Sequence, residues 1–271
     1  MSDAATMRHV RPAAVAGMFY PAEPDDLRQL IRTYLDPVVV DSGEPAPKAV
    51  IAPHAGYVYS GPIAASAYAR IAAARDTIRR AVVIGPAHRV MFRGLATSSA
   101  DAFATPLGNV MLDRDAIEQL LTLPDVIVLD EAHAPEHSLE VHLPFLQTVL
   151  DPDRFKLVPL VMGEASADQV ATVIEQLWGG PETLFVVSSD LSHYLDYEAA
   201  TRIDAATSQA IEKLRPQDID AHQACGRIAI QALLTLAPQH HLHARTVDQR
   251  NSGDTNGPRD QVVGYGAYVF N

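Results

Sequence analysis

Four short runs of continuous apolar residues recur along this chain, and the segments between them have the spacing of helices. The runs cover residues 49–52, 81–85, 156–162 and 184–188. Parallel strands that are covered on both faces read as unbroken Val, Ile and Leu runs, and strands alternating with helices indicate a layered α/β fold. The sequence therefore predicts a single α/β domain over residues 1–271, with a mixed, largely parallel central sheet flanked by helices.

Turn and cap signals divide the rest of the chain. Ser60 is predicted as the N-cap of one helix, with Pro62 in its first turn, and Ser166 as the N-cap of another. Pro144 either opens or kinks a helix over residues 141–150, and residues 1–10 are expected to be flexible. Helices are predicted over residues 25–35, 63–74, 168–178, 198–214 and 218–236, and a last strand over residues 262–270.

Composition limits the partners and the compartment. The formal net charge of -12, with no run of Lys and Arg, disfavours nucleic acid as a partner, because phosphates would be repelled. The single cysteine, Cys225, rules out a disulfide within the chain and fits a reducing compartment. Residues 1–11 lack the apolar region of a secretory signal, and no apolar stretch is long enough to span a bilayer. We therefore expect a cytoplasmic protein that does not interact with membranes.

A histidine follows three of the four apolar runs within a few residues. His54 comes after residues 49–52, His88 after residues 81–85, and Asp190 and His193 after residues 184–188. In an open α/β sheet, ligands bind beyond the carboxyl ends of the strands. His54 and His88 could supply two neutral nitrogen ligands. Asp190 and His193 suggest an acid–base pair, or a carboxylate that orients an imidazole.

Two other groups of residues leave alternatives open. The segment 131–142, which contains His142, is either a helix N-terminus whose carboxylates favour the helix dipole or part of a site. Residues 240–243 carry three histidines, and a solvated loop is favoured there over a metal site. Cys225 by itself reads as a core residue, although a helix start or Arg227 beside it would lower the pKa of its thiol.

Six motifs, in this order along the chain, resemble those of the Memo family, called the B protein of the AmmeMemoRadiSam system in bacteria and archaea. They are RPAAVAGMFY at 11–20, IAPHAGY at 51–57, GPAH at 85–88, EHSLEVHLPF at 136–145, VVSSDLSH at 186–193 and CGR at 225–227.

This resemblance implies a fold like that of the class III, LigB-type extradiol dioxygenases, non-haem iron enzymes that open catechol rings. It also implies that His54, His88 and Cys225 bind a metal. Asp190 and His193 would then line the same pocket as catalytic groups, with His142 a further catalytic neighbour. Where the dioxygenases complete a two-His, one-carboxylate triad, the Memo pattern has a thiolate. A soft ligand shifts preference toward copper(I), zinc or a different iron chemistry. The expected metal is iron(II) or copper, with zinc less favoured.

The family implies two functions. The first is metal-dependent redox or oxygenase chemistry on a small molecule, with a functional link to a radical SAM protein. The second is a metal-binding or peptide-binding adaptor without turnover that uses the same pocket. Tyr194 stands where animal members commonly have a tryptophan, which weakens the peptide reading here. The sequence leaves the substrate and the oligomeric state open.

Overall fold

Strands and helices alternate along residues 9–271, the part of the chain that this computed structural model describes. The strands are β1 (Val10–Arg11), β2 (Ala49–Ala52), β3 (Arg80–Pro86), β4 (Leu95–Thr97), β5 (Ala102–Thr105), β6 (Gly108–Met111), β7 (Val126–Val128), β8 (Lys156–Met162), β9 (Thr183–Ser188), β10 (His193–Leu195), β11 (Ala244–Asn251) and β12 (Val262–Phe270). The α-helices are α1 (Pro24–Leu35), α2 (Tyr57–Tyr68), α3 (Arg114–Leu120), α4 (Asp130–His133), α5 (Leu143–Val149), α6 (Ala167–Gln176), α7 (Tyr197–Glu212) and α8 (Arg227–Leu236).

The central sheet is mixed, and its middle is parallel. Its strand order is β10-β12-β2-β9-β3-β8-β4-β7, and β11 also pairs with β12. The four strands β2, β9, β3 and β8 run parallel to one another. The strands added on either side of these four, β12 and β4, are antiparallel to them. The predicted single-domain α/β fold with a mixed, largely parallel core is confirmed.

The register of the parallel strands sets the position of the site. Ala52 at the end of β2 pairs with Ser188 at the end of β9. One position earlier, Val187 of β9 pairs with Ile84 of β3. All three strands therefore end at one edge of the sheet, and the residues that follow each of them emerge side by side.

A second, three-stranded sheet in the order β1-β5-β6 holds the start of the chain. The flexibility predicted for residues 1–8 concerns residues outside the described part of the chain. His9 and Val10 were included in that prediction, but the structure gives both defined partners. The His9 amide donates to Asp101, and Val10 pairs with Ala102 in the parallel β1–β5 ladder.

The predicted helices agree with the structure best where local signals are strong. Ser166 caps α6 with a full capping box. The cap predicted at Ser60 is wrong, because α2 already begins at Tyr57 and contains Pro62. The amide of Tyr57 donates to the carbonyl of Phe19. This bond satisfies one free N–H of the first turn, and no side chain caps the helix.

The helix predicted over residues 218–236 forms only from Arg227 onward. The preceding turn is held against the end of β9: the amide of Cys225 donates to the Asp190 carbonyl, and that of Gly226 to the Ser189 hydroxyl. A Cβ at Gly226 would stand 2.5 Å from the Ser188 carbonyl oxygen. This close approach replaces the first turns of the predicted helix and brings the cysteine to the sheet edge.

No helix within residues 9–271 is both long enough and apolar enough to cross a bilayer.

Candidate metal centre

Two histidines and the cysteine converge beyond the carboxyl ends of the central strands. Ligand atoms of His54, His88 and Cys225 all lie within 4.8 Å of one another. The Sγ of Cys225 is 3.5 Å from Nε2 of His54. The rings of His54 and His88 lie with centroids 5.1 Å apart at 72°. The structure thus brings together the three residues named as metal ligands from the sequence.

The surroundings of His54 keep its imidazole neutral. The side chain is buried, and burial together with the neighbouring His88 lowers its pKa well below the ordinary value. A neutral imidazole is the form that can offer a nitrogen lone pair to a metal.

Cys225 does not have the lowered pKa that a helix start or Arg227 would produce. Burial, and after it the charge of Asp190, raise the pKa of the thiol to about 12. Cys225 lies two residues before α8 begins, and the Asp190 amide donates to its Sγ over 3.3 Å. The thiol is therefore protonated in the metal-free protein, and a bound metal would have to displace that proton.

Asp190 and His193 flank this group of ligand atoms. Oδ1 of Asp190 accepts the backbone N–H of His54 at 2.8 Å, and burial raises the pKa of its carboxyl group. His193 begins β10 and pairs with Val263 of β12. Both side chains line one cavity with His54 and His88.

This cavity has a volume of about 590 Å³. Arg89, which is a cation, and His137 also line the cavity. Aromatic side chains form much of the remaining wall: Phe19, Tyr59, Tyr194 and Tyr265. Tyr194 is 71% exposed and has a φ of 60°, so an exposed ring is held at the cavity in a left-handed backbone conformation. A cavity of this size accommodates a small aromatic or polar molecule.

His142, the third residue predicted as catalytic, lies in the core. It is buried in a short 3₁₀ helix, and its Nδ1 is 2.8 Å from the Tyr68 hydroxyl. Burial lowers its pKa to about 3. The member of its motif that lines the cavity is His137, whose ring stacks on His88 with centroids 4.7 Å apart. Sequence reasoning noted the density of metal-binding groups in this segment but did not select His137.

Glu136 and Ser188 also belong to the site, and sequence reasoning gave neither a role there. Oε1 of Glu136 is 2.9 Å from Nδ1 of His88, and Oγ of Ser188 is 2.7 Å from Nδ1 of His54. Burial raises the pKa of Glu136, but hydrogen bonds from His88 outweigh it and bring the value to about 2. The position of Glu136 beside two histidines in its motif was the available signal.

The opening motif, residues 11–20, is attached to the EHSLEVHLPF segment through a buried carboxylate. Glu140 accepts hydrogen bonds from the side chains of Arg11 and Tyr20 and from the amides of Ala14 and Val15. These bonds fasten residues 11–20 to the EHSLEVHLPF segment. Two of the six motifs therefore form one packed unit behind the cavity.

Comparison with known proteins places the chain among similar sequences over nearly its full length. A family model described as "Memo-like protein" matches residues 11–269. A MEMO1 family protein of Ignicoccus hospitalis is 36% identical over 96% of this chain and 98% of the relative. One of Aquifex aeolicus is 34% identical over 96% and 99%, and one of Archaeoglobus fulgidus is 36% identical over 97% and 99%. These descriptions name a family and no reaction.

Proposed function

The chain belongs to the Memo-like family, and from that premise we propose that it binds a redox-active metal, iron(II) or copper, through His54, His88 and Cys225. The observation that supports this most is the convergence of three ligand atoms within 4.8 Å at the sheet edge. The metal would serve redox or oxygenase-type chemistry on a small molecule in the adjoining cavity.

The donor set fits a single ion. Metal bonds of about 2.3 Å to sulfur and about 2.0 Å to nitrogen, at a tetrahedral angle, separate the two ligand atoms by about 3.5 Å. The Cys225 Sγ and His54 Nε2 are 3.5 Å apart. Imidazole suits copper and iron, and a thiolate adds preference for copper(I). Three protein ligands would leave at least one coordination position for a small molecule.

The chain's own residues would bind the substrate and move protons. The metal, when bound, supplies electron transfer or activation of a coordinated molecule. His193 and His137 stand on the cavity wall, where an imidazole can take a proton from a substrate hydroxyl or return it. Asp190 holds the backbone at His54 through its 2.8 Å hydrogen bond. Arg89 offers the cavity a cation for an anionic group.

Anaerobic purification followed by metal quantification tests the binding proposal. We expect iron or copper bound to the wild-type protein and lost from the His54→Ala, Cys225→Ala double variant. The matched control is His222→Ala, which removes an exposed imidazole three residues before Cys225. Equal metal content in the double variant and the wild type would refute the three-ligand site.

Oxygen uptake tests turnover separately. The loaded protein is mixed with catechols under O₂ and compared with the same protein freed of metal. Faster uptake by the loaded form supports oxygenase-type chemistry. Equal rates, with metal bound, would favour the alternative of a metal-binding protein without turnover.

A further inference from the structure

The hydrogen bond behind His54 determines which ring nitrogen carries the proton. Oγ of Ser188 is 2.6 Å from the Ser138 carbonyl oxygen, which can only accept. A serine hydroxyl has one hydrogen, and that hydrogen is used in this bond. Toward Nδ1 of His54, 2.7 Å away, Ser188 can therefore only accept. His54 must carry its hydrogen on Nδ1, which leaves the Nε2 lone pair directed toward Cys225.

The same argument applies to His88. Oε1 of Glu136 accepts the amides of His137 and Ser138, and Oε2 accepts the amide of His88. With three N–H groups directed at its two oxygens, the carboxylate acts as an acceptor. Nδ1 of His88, 2.9 Å from Oε1, is therefore the donor. The remaining lone pair of His88 is on Nε2.

The two hydrogen-bond chains meet in one short segment. Glu136 acts on His88 directly, and the Ser138 carbonyl acts on His54 through Ser188. The Ser138 hydroxyl donates to the Pro86 carbonyl at 2.8 Å, which fastens the segment to the end of β3. A Cβ on Gly85 would come within 2.9 Å of Ser138 Oγ, so segment and strand are in close contact.

We propose that residues 136–138 are a positioning element that holds both imidazoles as Nδ1–H tautomers with their Nε2 lone pairs available. Glu136 and Ser188, which links the Ser138 carbonyl to His54, are the two positioning residues. The importance of these tautomers for metal binding rests on the proposed function, whereas the tautomers themselves are a property of the metal-free chain. Partners behind metal-binding histidines fix ring orientation in this way, and their loss weakens affinity by about 10- to 100-fold.

The competing interpretation is that His88, Glu136 and His137 bind a second metal, because their ligand atoms also lie within 4.8 Å of one another. Because its Nδ1 is hydrogen-bonded to Glu136, His88 could join that second site only through Nε2, the nitrogen that the first site would use. The hydrogen bonds to Glu136 make Nδ1 of His88 a donor. Metal stoichiometry separates the two interpretations.

The tautomers are read from long-range ¹H–¹⁵N correlations of the full-length, metal-free protein with ¹⁵N-labelled histidine. We expect the Nδ1–H pattern for both His54 and His88. Glu136→Gln should change the His88 pattern and leave that of His54 unchanged, because the glutamine amide can donate to Nδ1 of His88. Ser188→Ala should change the His54 pattern alone. Glu131→Gln, an exposed carboxylate of the same segment, is the matched control and should change neither.

Metal affinity of the same variants completes the test. Glu136→Gln and Ser188→Ala should each weaken binding by about 10- to 100-fold with one ion per chain and unchanged circular dichroism. If Glu136→Gln does not fold, Ser188→Ala tests the proposal through His54. An Nε2–H tautomer in the wild type, patterns unchanged by both substitutions, or a second ion lost with Glu136 would overturn it. Wild-type protein with the expected tautomers but no metal affinity would refute the proposed function and leave the positioning element intact.

Discussion

Histidines gather at both ends of the central sheet, but only one end has the geometry of a candidate metal site. At the carboxyl end, His54 and His88 come from separate strands and meet Cys225. At the amino end, residues 240–243 precede β11, whose Ala244 pairs with Phe270, and Phe270 pairs with the first residue of β2. Within residues 9–271, the groups of ligand atoms close enough to share a metal lie at the carboxyl end alone.

The difference lies in where each imidazole finds its partners. His54 and His88 are held by Ser188 and Glu136, whose side chains are buried. At the amino end, His240 stacks on Trp178 and pairs with a surface carboxylate. Density of histidines in the sequence is therefore a weaker indicator of a site than delivery of single histidines to one sheet edge.

The two ends should differ most in how much metal affinity is lost when their histidines are removed. The His88→Ala variant should lose about 1,000-fold in metal affinity, or about 4 kcal/mol, because one of three ligands is gone. The triple variant His240→Ala, His241→Ala, His243→Ala should bind metal as the wild type does. Competition with a chelator of known affinity measures both. Metal loss from the triple variant would break the comparison.

The carboxyl end should also show a cost in stability that depends on pH. Asp204 is buried beneath it, accepts the Ser192 amide at 3.0 Å and fills the space beside Gly264. Burial raises the pKa of Asp204 to about 6, against about 4 in the unfolded chain. Between these values the folded state binds more protons, so stability should fall as pH rises from about 4 to about 6 and stay lower above.

Asp204→Asn should remove this dependence. We expect the variant to be more stable than the wild type by up to about 3 kcal/mol at pH 8, and equal to it near pH 4. Urea unfolding across this pH range measures the difference. Asp260→Asn, an exposed carboxylate, is the control. A difference between Asp204→Asn and wild type that is the same at every pH would contradict the assignment.

The next largest loss of stability should come from a substitution where two backbone segments lie very close together. A Cβ at Gly226 would stand 2.5 Å from the Ser188 oxygen and 2.7 Å from the Ser189 Cβ. Gly226→Ala should therefore lower the free energy of unfolding by about 1–3 kcal/mol and weaken metal binding by displacing Cys225. At Gly43 a Cβ would meet nothing within 4 Å, so Gly43→Ala should change stability by less than about 1 kcal/mol. Equal effects of the two substitutions would show that the turn is not tightly held.

The sequence predicted those parts of the molecule that local chemistry determines. The strands over residues 49–52 and 156–162 have the predicted bounds, because their unbroken apolar runs permit little else. Strand β11 was not predicted, because its residues are mostly polar and half-exposed and its pairing is set by β12.

The residues of the site likewise divide into those that the local sequence predicts and those that it does not. The ligands themselves follow strand ends and motifs, so sequence reasoning found them. Glu136 and Ser188 act through contacts that depend on sheet register. The turn before α8 has the sequence pattern of a helix but packs against β9 instead. Apart from the place of Glu136 next to His137 in its motif, no local signal carries that information.

The smallest effect should come from the side-chain contacts of His240 at the amino end. The ring of His240 lies 3.7 Å from that of Trp178, and its Nε2 is 2.8 Å from a Glu175 oxygen. An exposed hydrogen bond and one ring stack contribute about 1 kcal/mol together. His240→Ala should lose about that much in urea unfolding and shift the emission of Trp178, the only tryptophan. Glu175→Gln keeps the stack and should lose less. A loss as large as that of Gly226→Ala would mean that packing contacts also hold the amino end firmly. The two ends would then differ only in their ability to bind a metal.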